Sequence, residues 1–226
     1  MDRIRSGLRS HAEIILCACW LDLCWLRRRC FHWLVTEILE FQFESLDRSV
    51  RAAALSRSTP WVTLQLIAIT KLGSTVYLTG IGTIACIIFI VLRWRRELVL
   101  FLIAMAGQII LHHSAKAYFQ RSRPESLFDY PAADSYSFPS GHALASLCFY
   151  LVLGWLFGGH LKSTFYRWIV MILLSMLVLA IGSSRVYIGI HHLTDVIAGY
   201  LAALVWTIAV LSVDSWYGRK RGSESL

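Results

Sequence analysis

Five uncharged, strongly apolar runs restrict this chain to a membrane. They are Leu72–Leu92, Leu98–Leu111, Ala143–Gly159, Trp168–Ser184 and Val196–Val213. A helix needs about 17–25 such residues to cross a bilayer core, and four of the runs reach that length unaided. The fifth, Leu98–Leu111, is carried on by uncharged residues through His112–Ala115 to Lys116. Only 16% of the 226 residues are charged and 57% are hydrophobic, whereas a soluble domain carries about 25% charged residues. Buried helices of a soluble protein do not account for five such runs. The chain reads as all-α, a polytopic transmembrane helical bundle.

The net charge of +8 does not point to nucleic acid, because the cations lie in loops between apolar runs and not on one solvated face. Arg93, Arg95 and Arg96 follow the first long run. Lys162 and Arg167 separate the third and fourth, and Arg219, Lys220 and Arg221 follow the last. Basic loops stay cytoplasmic, and the three clusters fall at alternate ends of successive spans, as one orientation requires. The opposite ends carry Lys116, Arg123, His142, Arg185 and His191, which puts them on the non-cytoplasmic face.

Residues 1–60 read as an N-terminal part, 61–218 as the transmembrane domain and 219–226 as a polar, disordered cytoplasmic tail. Ile14–Leu26 is a short first span or an interfacial helix, interrupted by Asp22 and followed by Arg27, Arg28 and Arg29. No small-residue cleavage site follows it. Phe43, Leu46, Val50 and Ala54 recur at helical spacing and predict an amphipathic helix on the membrane surface, ended or redirected at Pro60. Trp61–Ile69 is too short to span alone, and Lys71–Ser74 reads as a turn. Cys17, Cys19, Cys24 and Cys30 lie in the N-terminal part, and Cys86 and Cys148 within apolar runs. Without paired C-x-x-C units neither a zinc site nor a disulfide framework is expected.

Three polar motifs punctuate the apolar runs. Lys116 and Arg123 are seven residues apart, two helical turns, and share a face if the helix continues that far; Pro124 would then end it. An ammonium and a guanidinium aimed at one point bind a phosphate dianion. Pro139-Ser140-Gly141-His142 directly precedes an apolar run, so Ser140 and Gly141 would offer a hydroxyl and free backbone N–H groups to an anion at a helix N-terminus. His142 there can act as acid or base. Asp195 lies four residues after His191 and three after His192, so it can hold one nitrogen of either imidazole and leave the other free to attack. Arg185 adds a third cation. His112 and His113 read as interfacial packing.

Taken together, KxxxxxxRP over Lys116–Pro124, PSGH over Pro139–His142 and SRxxxxxHxxxD over Ser184–Asp195 resemble the type 2 phosphatidic acid phosphatase (PAP2) superfamily, without a departure. The resemblance implies a bundle of about six spans with a PAP2/haloperoxidase-like core and dephosphorylation through a phosphohistidine. It implies no metal and no cofactor. It makes His191 the nucleophile ahead of His192, Asp195 its orienting carboxylate, and His142 the acid that protonates the leaving oxygen. Lys116, Arg123, Ser140, Gly141 and Arg185 would hold the phosphoryl group.

The expected activity is hydrolysis of a lipid phosphate or pyrophosphate in a bacterial inner membrane, with the site on the periplasmic face. Undecaprenyl pyrophosphate, phosphatidylglycerol phosphate and phosphatidic acid are candidate substrates. A lipid phosphotransferase, passing the phosphoryl group to another lipid such as lipid A, would use the same intermediate. A membrane transporter or scaffold would explain the spans but not the ordered set of Lys, Arg, His and Asp. The partners expected are the anionic lipid substrate and membrane lipids, with no nucleic acid and no obligate protein partner.

Overall fold

The computed structural model describes residues 43–128, 130–131 and 135–224, with side chains to Asp214 in the last helix. The apolar run Ile14–Leu26, the four N-terminal cysteines, Asp129 and Asp134 lie outside the described residues. Among the described residues all regular structure is helical: α1 (Glu44–Ser56), α2 (Pro60–Lys71), α3 (Thr75–Val91), α4 (Arg95–Phe119), α5 (Gly141–Gly158), α6 (Thr164–Tyr187) and α7 (Leu193–Glu224).

The amphipathic helix expected near 40–60 is α1, and Pro60 starts the next helix. Thr59 caps α2, its hydroxyl accepting from Val62 N at 3.3 Å, and Pro60 takes the first position, where a missing N–H costs nothing. α2 and α3 meet at a 46° bend across residues 72–74 and together have the length and apolarity of one broken span. Trp61–Ile69 thus belongs to one arm of that bent pair. With α4, α5, α6 and Leu193–Asp214 of α7, the described residues hold five candidate spans. α7 runs to Glu224, so a helix continues where a disordered tail was expected after residue 218.

From Asp47 onward the chain forms one unit, organised around α5. Leu144, Cys148, Phe149, Val152 and Leu156 of that helix are buried against α4, α6 and α7. Trp206 of α7 donates its indole N–H to Ala104 O of α4 at 3.0 Å. Its ring packs where a side chain at Gly107 would stand, a close helix approach that a small residue allows. The outward faces are as apolar as the core. Ile84, Ile110, Met176 and Val205 are 60%, 66%, 62% and 70% exposed. Water would penalise so large an apolar surface, and lipid does not.

Candidate active site

Four helix ends and one loop build the site. Lys116 lies in the last turn of α4, α5 begins at Gly141 and carries His142, Arg185 lies in the last turn of α6, and α7 begins just after His191. The intervening loop is stitched across these ends: Leu127 N donates to Ile188 O at 2.8 Å, Ser137 N to Arg121 O at 2.8 Å and Ser140 N to Asp195 O at 2.9 Å. Lys116, Arg123, Gly141, His142, Arg185 and His191 line one cavity of about 720 Å³. Ser140 and Asp195 are fully buried.

Lys116 and Arg123 do not share a helical face. α4 stops at Phe119 because Gln120 turns left-handed, with φ 48°, and Arg123 lies in the loop beyond. Gln120, not Pro124, ends the helix. The two cations converge through Ser135 instead. Its hydroxyl takes Lys116 Nζ and Arg123 Nη2, both at 3.1 Å, and its carbonyl takes Arg123 Nε at 2.7 Å. Arg185 Nη1 donates to the buried Thr70 hydroxyl at 3.0 Å, and the guanidinium lies 5.8 Å from the Tyr130 ring centroid.

His191 Nε2 lies 3.2 Å from Arg123 Nη1. Arginine only donates, so Nε2 is the acceptor and the ring proton sits on Nδ1. That nitrogen lies 3.5 Å from Asp195 Oδ2, longer than a hydrogen bond. Burial pushes His191 down to about 4, although Asp195 pulls the other way; the ring is neutral at neutral pH. His192 has a different outlook. It does not line the cavity, its Nδ1 lies 3.7 Å from Asp47 Oδ2, and burial lowers its acidity range too.

Asp195 is held more firmly than the sequence indicated. Arg121 Nη1 donates to Oδ1 at 2.7 Å, His192 N donates to Oδ2 at 2.9 Å, and Ser137 Oγ also donates to Oδ2. Arg121 and Ser137 stand inside or beside the motifs, where such a role was legible in principle. Asp47 of α1 carried no signal, since it read as the polar face of an amphipathic helix. His112 was read as packing, yet it lines the cavity, and a Cβ on Gly141 would come within 2.6 Å of its Nε2.

Among the described residues, three buried nitrogens of cavity-lining side chains have no hydrogen-bond partner, His112 Nε2, Arg185 Nε and His191 Nδ1, and neither has the buried Ser140 Oγ. Each costs about 1–3 kcal/mol if left unpaired; His191 Nδ1 is the nitrogen nearest Asp195, at 3.5 Å, while Arg185 Nε and Ser140 Oγ keep a donor to spare. Away from these groups the cavity runs between α3 and α4, past Leu78, Gly82, Phe101 and Met105. Leu102 and Ile109, 51% and 50% exposed, form its outer edge. A polar head and an apolar lane are joined in one space.

The chain is similar to known membrane phosphatases. The family model of the PAP2 superfamily matches residues 97–219. Phosphatidylglycerophosphatase B of Bacillus subtilis (strain 168) is 28% identical over 179 residues, 79% of this chain and 88% of that protein. The crystal structure of a transmembrane PAP2 type phosphatidylglycerolphosphate phosphatase from Bacillus subtilis superposes with a TM-score of 0.74 at 26% identity, covering 84% of this chain and 95% of the other. Aquifex aeolicus LpxE shares the fold, with a TM-score of 0.56 at 21% identity over 74% of this chain and 93% of its own. A helical bundle of this topology, with the three motifs meeting at one end and the family match spanning more than half its length, belongs to the PAP2 superfamily: the chain is an integral membrane phosphatase, a phosphoric ester hydrolase.

Proposed function

We propose that the enzyme hydrolyses a lipid phosphate of the phosphatidylglycerol phosphate class through a phosphohistidine on His191. The observation that carries this reading is the joined cavity: unpaired donors and three cations at one end, and an apolar lane between α3 and α4 at the other. A glycerolipid fits that division, its phosphate among Lys116, Arg123 and Arg185 and its acyl chains in the lane. The similarity to phosphatidylglycerophosphatase B supports the same headgroup.

Nε2 of His191 attacks phosphorus, and the bond to the leaving oxygen breaks as His142, protonated once the phosphate dianion is bound beside it, gives that oxygen a proton. The incoming phosphate takes the Arg123 N–H that Nε2 accepts in the free enzyme, which frees the lone pair. Asp195 Oδ2 closes on Nδ1–H as the ring gains positive charge. Lys116, Arg123, Arg185 and the first amides of α5 face the equatorial oxygens, with Ser140 Oγ supplying a further bond. Water then attacks the phosphohistidine, gives a proton to His142 and releases inorganic phosphate. The basic loops at the opposite helix ends support a periplasmic location for this chemistry in a bacterial inner membrane.

The test is phosphate release by purified enzyme in micelles from phosphatidylglycerol phosphate, phosphatidic acid and undecaprenyl pyrophosphate, each with and without lipid A as acceptor. The reading expects release to water, fastest from phosphatidylglycerol phosphate. Turnover that requires the acceptor, or preference for the pyrophosphate, would contradict it.

A further inference from the structure

We propose that Asp47, on helix α1 and outside the family-matched stretch 97–219, is a positioning residue that sets the Asp195 carboxylate through Arg121. The inference rests on the reading of His191 as nucleophile and Asp195 as its orienting group. α1 is amphipathic, and an acidic residue on such a helix belongs at its wet face. Asp47 is instead 5% exposed. A carboxylate taken out of water is costly unless it is paired, so the sequence maintains this burial against a penalty.

One of its two hydrogen-bond partners, Arg121, also holds Asp195. Asp47 Oδ1 accepts from Thr194 N at 3.2 Å, and Oδ2 accepts from Thr194 Oγ1 at 2.8 Å and Arg121 Nη2 at 3.2 Å. Arg121 Nη1 in turn donates to Thr194 Oγ1 at 2.8 Å and to Asp195 Oδ1 at 2.7 Å. The result is a closed ring of the Asp47 carboxylate, the Arg121 guanidinium and the Thr194 hydroxyl, with the Asp195 carboxylate joined to it through Arg121 Nη1. The same helix is pinned to the surrounding loops by Arg51, which donates to Gly189 O at 3.1 Å and Glu125 O at 2.5 Å. Val50 packs against Ala143, Val186 and Val196.

The ring has an electrostatic consequence. An arginine bonded to Asp195 alone would neutralise the carboxylate that must support positive charge on His191. Asp47 takes half of the guanidinium fork, which leaves part of the Asp195 charge for Nδ1–H. It also fixes the angle at which Arg121 occupies Oδ1, so that Oδ2 stays aimed at Ser137, His192 N and His191. Neither Asp47 nor Arg121 lines the cavity, so their effect belongs to the chemical step and not to phosphate binding.

The experiment measures kcat and KM for phosphate release from phosphatidic acid by the full chain in micelles, with orthovanadate inhibition and thermal unfolding as controls. The variants are Asp47→Asn, Asp47→Glu, Arg121→Gln and the double variant Asp47→Asn/Arg121→Gln, with His191→Ala alongside. Asp47→Asn is expected to lower kcat about tenfold or more while KM and vanadate inhibition stay within about threefold. Asp47→Glu should restore part of the loss, and the double variant should lose much less than the product of the two singles. If Asp47→Asn does not fold, Arg121→Lys, which keeps the charge but loses the fork, takes its place with the same expectation for kcat. Wild-type kcat in the tested variant, losses that multiply in the double, or a kcat loss matching the fraction unfolded would overturn the positioning role. A wild-type enzyme that releases no phosphate, or a His191→Ala variant that still does, would overturn the reading beneath it and this inference as well.

Discussion

Adjacent histidines at one helix start have separate surroundings, and the proposal that His191 attacks phosphorus rests on the difference. His191 lines the cavity with Nε2 accepting from Arg123 Nη1, while the Nδ1 of His192 faces Asp47. His142 lines the same cavity at the start of α5 and is the acid proposed for the leaving oxygen. His142→Ala should lower kcat about 10²–10⁴-fold for an alkyl phosphate, the usual range for a lost general acid. The loss should shrink for an aryl phosphate, whose leaving group needs no proton; an equal loss on both would remove His142 from that role. Burial sets the titration of His191. Its proton binds only near pH 4, well below the ordinary 6.5. As pH falls from 6.5 toward 4 the unfolded chain therefore takes up a proton that the native one refuses, and stability declines through that window. A histidine NMR titration, with the His191 signal assigned by its loss in His191→Ala, should give a midpoint near 4; a midpoint near 6.5 would contradict the burial. Spacing alone could not choose between the two histidines, since both stand within one turn of Asp195.

At the scale of elements, the sequence made the apolar spans legible through their length and lack of charge. It did not reveal where α4 ends, because Gln120 has no strong breaker character, and its left-handed backbone (φ 48°) answers to the loop it must start. The Lys116–Arg123 pairing expected from helical spacing is achieved by that loop through Ser135. The broken α2–α3 span was hidden because Lys71 and Gly73 punctuate it like an ordinary turn, and the use of Asp47 was hidden because α1 has a generic amphipathic pattern. The lane between α3 and α4 makes its own prediction. Thr79 is exposed and lines the cavity on α3. Thr79→Trp should cut the preference for long-chain over short-chain lipid phosphates about tenfold, within the 1–3 kcal/mol that pocket shape commonly controls. Competition between the two substrates measures it, and an unchanged ratio would mean the acyl chains lie elsewhere.

For the whole molecule, the bundle brings four helix ends and one loop to one end of the bundle, and the proposed chemistry follows from what gathers there. Cations line the cavity where a two-metal phosphatase would have carboxylates. Turnover should therefore remain within about twofold in EDTA, while orthovanadate, which adopts the geometry of the transferring phosphoryl group, should inhibit. Loss of turnover in EDTA restored by magnesium would require a different assignment of roles. The central claim is that the phosphoryl group passes through His191. Rapid mixing with a phosphate-labelled lipid, an acid-free quench and detection of phosphohistidine test it in the wild type, His191→Ala and His192→Ala. The account predicts a labelled histidine in the wild type, none in His191→Ala with turnover down about 10⁴-fold or more, and label with most of the activity in His192→Ala. Label that persists in His191→Ala and disappears in His192→Ala would contradict it.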